Sequence, residues 1–222
     1  MNNYREIIIK NWIKLFLKDK NCLILGCGNG HDCSELEKYC KNIVGVDISS
    51  RLIKEAKYNF KNINFIQADA ELLPFKNCSF DVVYCKSILH HLNFEKSIIE
   101  LTRILRIEGI LFIAYEPCLL NPFGFIDRKF FPSNIHTPNE RPFIPYVFEK
   151  KITSNGYKKI YLDYFNLWSI IFPIIGKKLK LKYSLKIMID ISVKLENLIK
   201  ITPLKNCYLV MAGIFVKRNF HE

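Results

Sequence analysis

The sequence predicts an α/β protein: a mostly parallel sheet with helices on both faces, formed by one domain over residues 1–222. Three observations carry this. Short apolar runs at Cys22 to Leu25, Ile43 to Val46 and Ile63 to Gln67 alternate with segments of helical period. Glycines at 26, 28 and 30 break the chain directly after the first run. Acids follow the second and third runs, Asp47 at once and Asp69 after Ala68.

Strand, glycine turn, helix, strand and acid together form the opening of a nucleotide-binding sheet. Glycines let the backbone turn sharply and approach a ligand with free N–H groups. Asp47, at a strand end, can accept from two ribose hydroxyls. The glycine spacing is G-x-G-x-G. A dinucleotide fingerprint, G-x-G-x-x-G, would need glycine at position 31, which is His31.

The remaining elements follow in order. Tyr4 to Leu17 reads as an amphipathic helix with Ile8, Trp12, Leu15 and Phe16 near one stripe, part of an N-terminal segment over residues 1–19. Ser49 or Ser50 can cap a helix from Arg51 to Asn59. FDVVYCKSILHHL, residues 80–92, opens as a buried strand and turns at His90 and His91. Asn93 caps a helix from Phe94 to Leu105, which Gly109 stops, and Ile110 to Tyr115 is the fifth strand, ending in Glu116-Pro117. Pro145 to Thr153 reads as a helix, Tyr157 to Tyr164 as the sixth strand and Cys207 to Lys217 as the last.

At this point the sequence resembles the class I S-adenosylmethionine (SAM)-dependent methyltransferases, in their type 11, small-molecule branch. The resemblance rests on the G-x-G-x-G loop with Asp47, on FIQADAELLPF, on the L-H-H-L-like turn and on ILRIEGILFIAYEP, which is similar to the family's "R-x-L-x-x-G-G…E-P" segment. It implies a Rossmann-like sheet of seven strands, parallel except for an antiparallel last one. It also implies SAM as cofactor, with Gly26, Gly28 and Gly30 under the methionine and Asp47, followed by Ile48, at the ribose. Asp69 and the backbone of Ala70 would meet the adenine, and Cys85 and Lys86 would face the methionine end. Three positions depart from the family. Ile24 stands where an acid is usual, and Glu108 and Ile110 alter the last segment. The N-P-P-[FY] element of many nucleobase and glutamine N-methyltransferases is absent.

Methyl transfer from a sulfonium needs alignment, exclusion of water and, for a hydroxyl or ammonium acceptor, removal of a proton. His90 or His91 suits that last task, because an imidazole titrates near neutrality; alternatively both only shape the turn. Glu116 either binds substrate, orients a histidine or serves as a turn carboxylate before proline.

Residues 118–145 lose periodicity under five prolines, and residues 166–205 add two apolar segments, Trp168 to Gly176 and Ser184 to Lys200. Both stretches read as lid or substrate insertions, with His136, Glu140 and Arg141 as candidate substrate contacts. Lysines 177, 178, 180, 182 and 186 beside the wide apolar stripe suit an anionic membrane or a hydrophobic, lipid-like acceptor, or else a solvated face on a packed helix.

The net charge of +12 divides into +2 for residues 1–117 and +10 for residues 118–222, which favours an anionic partner or reflects compositional drift. An RNA methyltransferase therefore stands beside the small-molecule reading, as does a SAM- or nucleotide-binding protein without catalysis, which the Ile24 departure leaves open. The eight cysteines include no C-x-x-C pair and no zinc-finger spacing, so neither a metal nor a disulfide framework is expected. Lys10, Lys14 and Lys18 interrupt the first apolar segment and no run reaches a membrane span, which points to a cytoplasmic protein, at most peripheral to a membrane.

Overall fold

The computed structural model describes residues 4–118, 141–165 and 210–219. Seven strands form one sheet in the order β3-β2-β1-β4-β5-β7-β6. They are β1 (Asn21–Leu25), β2 (Asn42–Asp47), β3 (Asn64–Gln67), β4 (Phe80–Lys86), β5 (Leu105–Pro117), β6 (Tyr157–Phe165) and β7 (Val210–Lys217). Pairing is parallel from β3 through β5, and β7 lies antiparallel to both neighbours, the predicted arrangement. The chain crosses from β1 outward to β2 and β3 and then returns to place β4 on the other side of β1. The carboxyl ends of β1 and β4 therefore flank the point where the winding reverses, where such sheets open a crevice.

The central strands are apolar on both sides, so each face of the sheet builds its own core. Leu23, Leu25, Val83, Cys85, Leu111, Ile113, Met211 and Phe215 face α4 (Phe94–Ile104) and α5 (Pro145–Ser154). Their alternates Cys22, Ile24, Val82, Tyr84, Phe112, Ala114, Ala212 and Ile214 face α1 (Tyr4–Phe16), α2 (His31–Leu36) and α3 (Ser50–Asn59). The period of two along each strand produces this division. Ser49 and Asn93 cap α3 and α4 as predicted, accepting from the N–H groups of Leu52 and Lys96, each at 3.3 Å.

Two sequence expectations are corrected here. The buried stripe of α1 is Ile9 and Ile13, continued by Leu17 just past its end, at i, i+4 and i+8, while Leu15 is 66% exposed. Trp12 and Phe16 sit at the margin, against Tyr161 of β6, and the Trp12 ring stacks on it at 5.6 Å. Slender side chains fill the narrow space above the sheet, and the broad indole takes the edge. Gly109 does not stop α4, which ends at Ile104. It lies within β5, in a bulge between the pairs Phe80↔Leu105 and Val82↔Ile110. A Cβ on Gly109 would come within 2.7 Å of the Arg106 carbonyl, so the bulge needs glycine there.

The end of α4 is closed from the sheet. Lys217 is buried, and its Nζ donates to the carbonyls of Thr102 at 2.7 Å and Leu105 at 2.8 Å, a cation at a helix C-terminus. The insertions at Trp168 to Gly176 and Ser184 to Lys200, and residues 207–209 of the last predicted strand, lie outside the described residues. No described helix is long and apolar enough to cross a membrane. Among the described residues no metal-ligating cluster occurs, and the described cysteines are free thiols.

Candidate functional site

The glycine loop joins β1 to α2. Gly26, Gly28 and Gly30 all have left-handed backbone, with φ of 69°, 54° and 89°. Two of them are crowded from behind. A Cβ on Gly26 would lie 2.7 Å from Ile88, and one on Gly30 would lie 2.8 Å from Phe65. Gly28 differs: its Cβ would meet nothing within 4 Å, so the middle of the loop borders open space. The loop is held from both sides. Asp47 accepts from the Gly28 N–H at 2.9 Å and, through its other oxygen, from the Ser49 N–H at 2.9 Å. On the far side Asn29 donates to Glu55 of α3 at 3.2 Å.

Asp69 lies exposed beyond β3 and accepts from the Glu71 N–H at 2.9 Å. Ile48 and Leu72, beside the two acids, are 67% and 78% exposed. Ala70 buries its methyl in the core, leaving its backbone as the part that can meet a ligand. Two carboxylates with spare lone pairs, apolar side chains beside them and an unfilled space before Gly28 fit a ribose-bearing ligand with a flat base.

The end of β4 departs in detail from its predicted role. The Cys85 thiol is fully buried among core residues, and burial pushes it well above the ordinary thiol range. Cys85 can therefore offer a ligand only its backbone. Lys86 does reach the crevice, where its Nζ pairs with Asp32 of α2 at 2.6 Å. Asp32 was invisible to motif reading, since nothing in its spacing marks a partner for Lys86. An adjacent cation and anion suit the two charged ends of an amino acid such as methionine. A cavity of about 320 Å³ opens beside the pair, walled by Ile9, Ile13, Leu36, Tyr39, Tyr84 and Tyr115.

Beyond Lys86 the backbone is strained. Ser87 and Tyr115, at the ends of β4 and β5, take φ of 50° and 58°, and the Ser87 hydroxyl donates to the Tyr115 carbonyl at 3.0 Å. Left-handed backbone at residues with a Cβ costs about 1 kcal/mol or more and persists where neighbours enforce it.

The reason for this geometry is Glu116, which has no exposed surface. Its Oε1 accepts from the N–H groups of Ile88 at 2.9 Å and Leu89 at 3.0 Å. Its Oε2 accepts from the His90 N–H at 3.2 Å and meets His90 Nδ1 at 2.8 Å. Four N–H groups thus converge on one buried carboxylate. Of the sequence alternatives, orienting a histidine is the one this geometry matches, since a group without exposed surface cannot touch substrate directly. With Glu116 accepting as a carboxylate, Nδ1 is the ring nitrogen that faces it, and Nε2 makes no hydrogen bond among the described residues. His91 is exposed, its ring centroid 4.0 Å from that of His90. The chain returns to this turn at Arg141, whose N–H donates to the His90 carbonyl at 2.8 Å. His136 and Glu140 lie outside the described residues.

Comparison with known proteins agrees with this fold. Residues 23–113 match the family model described as a methyltransferase domain. An uncharacterized protein, MJ1252 of Methanocaldococcus jannaschii, is 38% identical over 111 residues, 49% of this chain and 42% of that protein. The ubiquinone/menaquinone biosynthesis C-methyltransferase UbiE of Campylobacter jejuni is 31% identical over 143 residues, 60% of each chain. The chain thus spans between 42 and 60% of the length of these two relatives. Among solved structures, a SAM-dependent methyltransferase from Methanosarcina mazei superposes with a TM-score of 0.64 at 18% identity, covering 95% of this chain and 97% of that one. The motif-bearing strands, the glycine loop and the sheet order converge on one likeness: residues 23–113 are similar to a methyltransferase domain, and the chain takes the fold of a solved SAM-dependent methyltransferase.

Proposed function

We propose that the protein transfers a methyl group from SAM to a hydrophobic acceptor whose nucleophilic atom must lose a proton. The observation that carries this reading is the Glu116–His90 pair, whose Nε2 has no hydrogen bond among the described residues, on the turn whose Ile88 packs behind Gly26 of the glycine loop. SAM would be held by the glycine loop, Asp47, Asp69, Lys86 and Asp32, and when bound it supplies a methyl group already activated by the sulfonium charge. His90 Nε2 takes the proton of the acceptor. Glu116 fixes the tautomer that makes this possible and balances the charge that His90 gains. The strained ends of β4 and β5 keep the turn in place without reorganisation during the reaction. The name of the C. jejuni relative, a C-methyltransferase of ubiquinone/menaquinone biosynthesis, supports an apolar acceptor.

Calorimetric titration with SAM and with its demethylated product tests the first half. Micromolar binding is expected, lost in Asp47→Ala and weakened in Asp69→Ala, and an absence of binding to either ligand would overturn the reading. Transfer of labelled methyl groups tests the second half. His90→Gln should lose at least a hundredfold in turnover while keeping SAM affinity, and unchanged turnover would remove His90 from the mechanism. The net charge of +12 supports a second reading, an RNA acceptor, which requires tRNA binding that weakens steeply with salt.

A further inference from the structure

On the other side of the His90 turn lies an apolar pocket that no step above uses. Its volume is about 280 Å³, and Leu89, Leu92, Phe143, Ile144, Val147 and Phe148 wall it. Its floor is a cluster of rings, with Phe143 4.5 Å from Phe148 and 5.5 Å from Phe94. Ile144 and Val147 remain 39% and 42% exposed on its rim, although α5 buries Phe148 and Ile152 completely. Three charged residues also line it, and two of them cancel: Lys151 pairs with Glu95 and lies over the Phe94 ring. The third is Arg141. No carboxylate or hydrogen-bond acceptor among the described residues engages its guanidinium, while its own N–H is bonded to the His90 carbonyl. Leu89 of the wall is the residue immediately before His90.

An apolar pocket lined by one guanidinium that no described acceptor engages is complementary to an amphipathic anion. Resting on the methyltransferase reading above, we infer that this pocket takes the apolar chain of the acceptor, and that Arg141 binds an anionic group on the acceptor's head beside His90. At ~30 Å³ per water-sized unit the pocket has room for a chain of roughly eight to ten carbons. Burial of each methylene raises affinity about three- to fourfold, and the guanidinium adds a charge-assisted contact with a carboxylate or phosphate. The acceptor class that results is a medium-chain or prenyl-like molecule bearing an acid near the methylated atom.

The test uses straight-chain carboxylates from hexanoate to dodecanoate, with decanol as the uncharged control, titrated below their micellar concentrations into protein loaded with demethylated SAM. Affinity should climb three- to fourfold per methylene and level off near ten carbons, and decanoate should bind about tenfold more tightly than decanol. Val147→Trp fills the pocket and should weaken decanoate at least tenfold. Arg141→Ala should erase the preference over decanol, and neither variant should change affinity for demethylated SAM. No dependence on chain length, or decanoate binding unmoved by Val147→Trp, would overturn the pocket. A preference for decanoate that survives Arg141→Ala would overturn the role of the guanidinium. Should demethylated SAM fail to bind, the methyltransferase reading falls, and the same series on the unloaded protein still judges the pocket.

Discussion

The two halves of the site are built by different means. On the β1–β3 side, a backbone loop and two carboxylates present themselves to a ligand: Asp47 is half-buried and Asp69 exposed. Each carboxylate carries one or two backbone N–H groups and retains lone pairs. On the β4–β5 side, the organising carboxylate is sealed inside the protein, and Glu116 acts only through the turn that it holds. The first half resembles a binding surface, whose carboxylates are not sealed in the core. The second resembles a piece of core whose polar centre is indispensable, because an unpaired buried donor costs far more than an exposed one.

That contrast sets an order of expected effects. Glu116→Ala strands the buried N–H groups of Leu89 and His90, the partly buried N–H of Ile88 and the imidazole. It should cost roughly 3–5 kcal/mol in chemical denaturation, with Glu116→Gln losing less because one oxygen still accepts. A loss below about 1 kcal/mol would mean that both halves are built alike. Gly30→Ala comes next. Its methyl would sit 2.8 Å from Phe65 at a left-handed φ, so overpacking and strain together should remove about 2–4 kcal/mol of stability.

Gly28→Ala has open space for its methyl and should cost only the backbone term, about 1–2 kcal/mol, while its SAM affinity falls further than its stability. If instead SAM binds Gly28→Ala as tightly as the parent, the space before Gly28 is not where the ligand lies. Asp47→Ala should lower SAM affinity by about 2–3 kcal/mol in calorimetry yet shift stability by roughly 1 kcal/mol or less.

The smallest effect lies away from both halves. Burial raises the Asp81 carboxyl, but the Asn21 N–H and Arg106 outweigh it and hold the group below its ordinary range. A depressed folded-state value contributes stability above the unfolded value near 3.9, which is lost as pH falls through and below it. Asp81→Asn should therefore cost about 1 kcal/mol at pH 7 and progressively less as the pH falls below the unfolded value, as denaturation across that range would show.

Much of the architecture was legible without coordinates, and the corrections show where legibility stops. The starts of α3 and α4 were readable because Ser49 and Asn93 act within three residues of themselves. Leu15 was assigned to the wrong side because α1 offers apolar residues around more than one face, and only the sheet selects among them. Gly109 resembles a helix stop in one dimension, and its bulge exists only opposite β4. Cys85 sits at the predicted strand end, but the alternation of the strand turns its thiol into the core.

By itself, then, the sequence determined the order of strands and helices, the glycine loop and the two acids at strand ends, because each is written in a short-range period or spacing. The tertiary structure alone decided the pairs that make the site chemical. Lys86 meets Asp32 across 54 residues, and Glu116 meets His90 across 26. No local rule specifies such encounters. They follow from parallel strands that bring distant carboxyl ends to one edge, where burial removes water and leaves each polar group only the partners that the fold supplies.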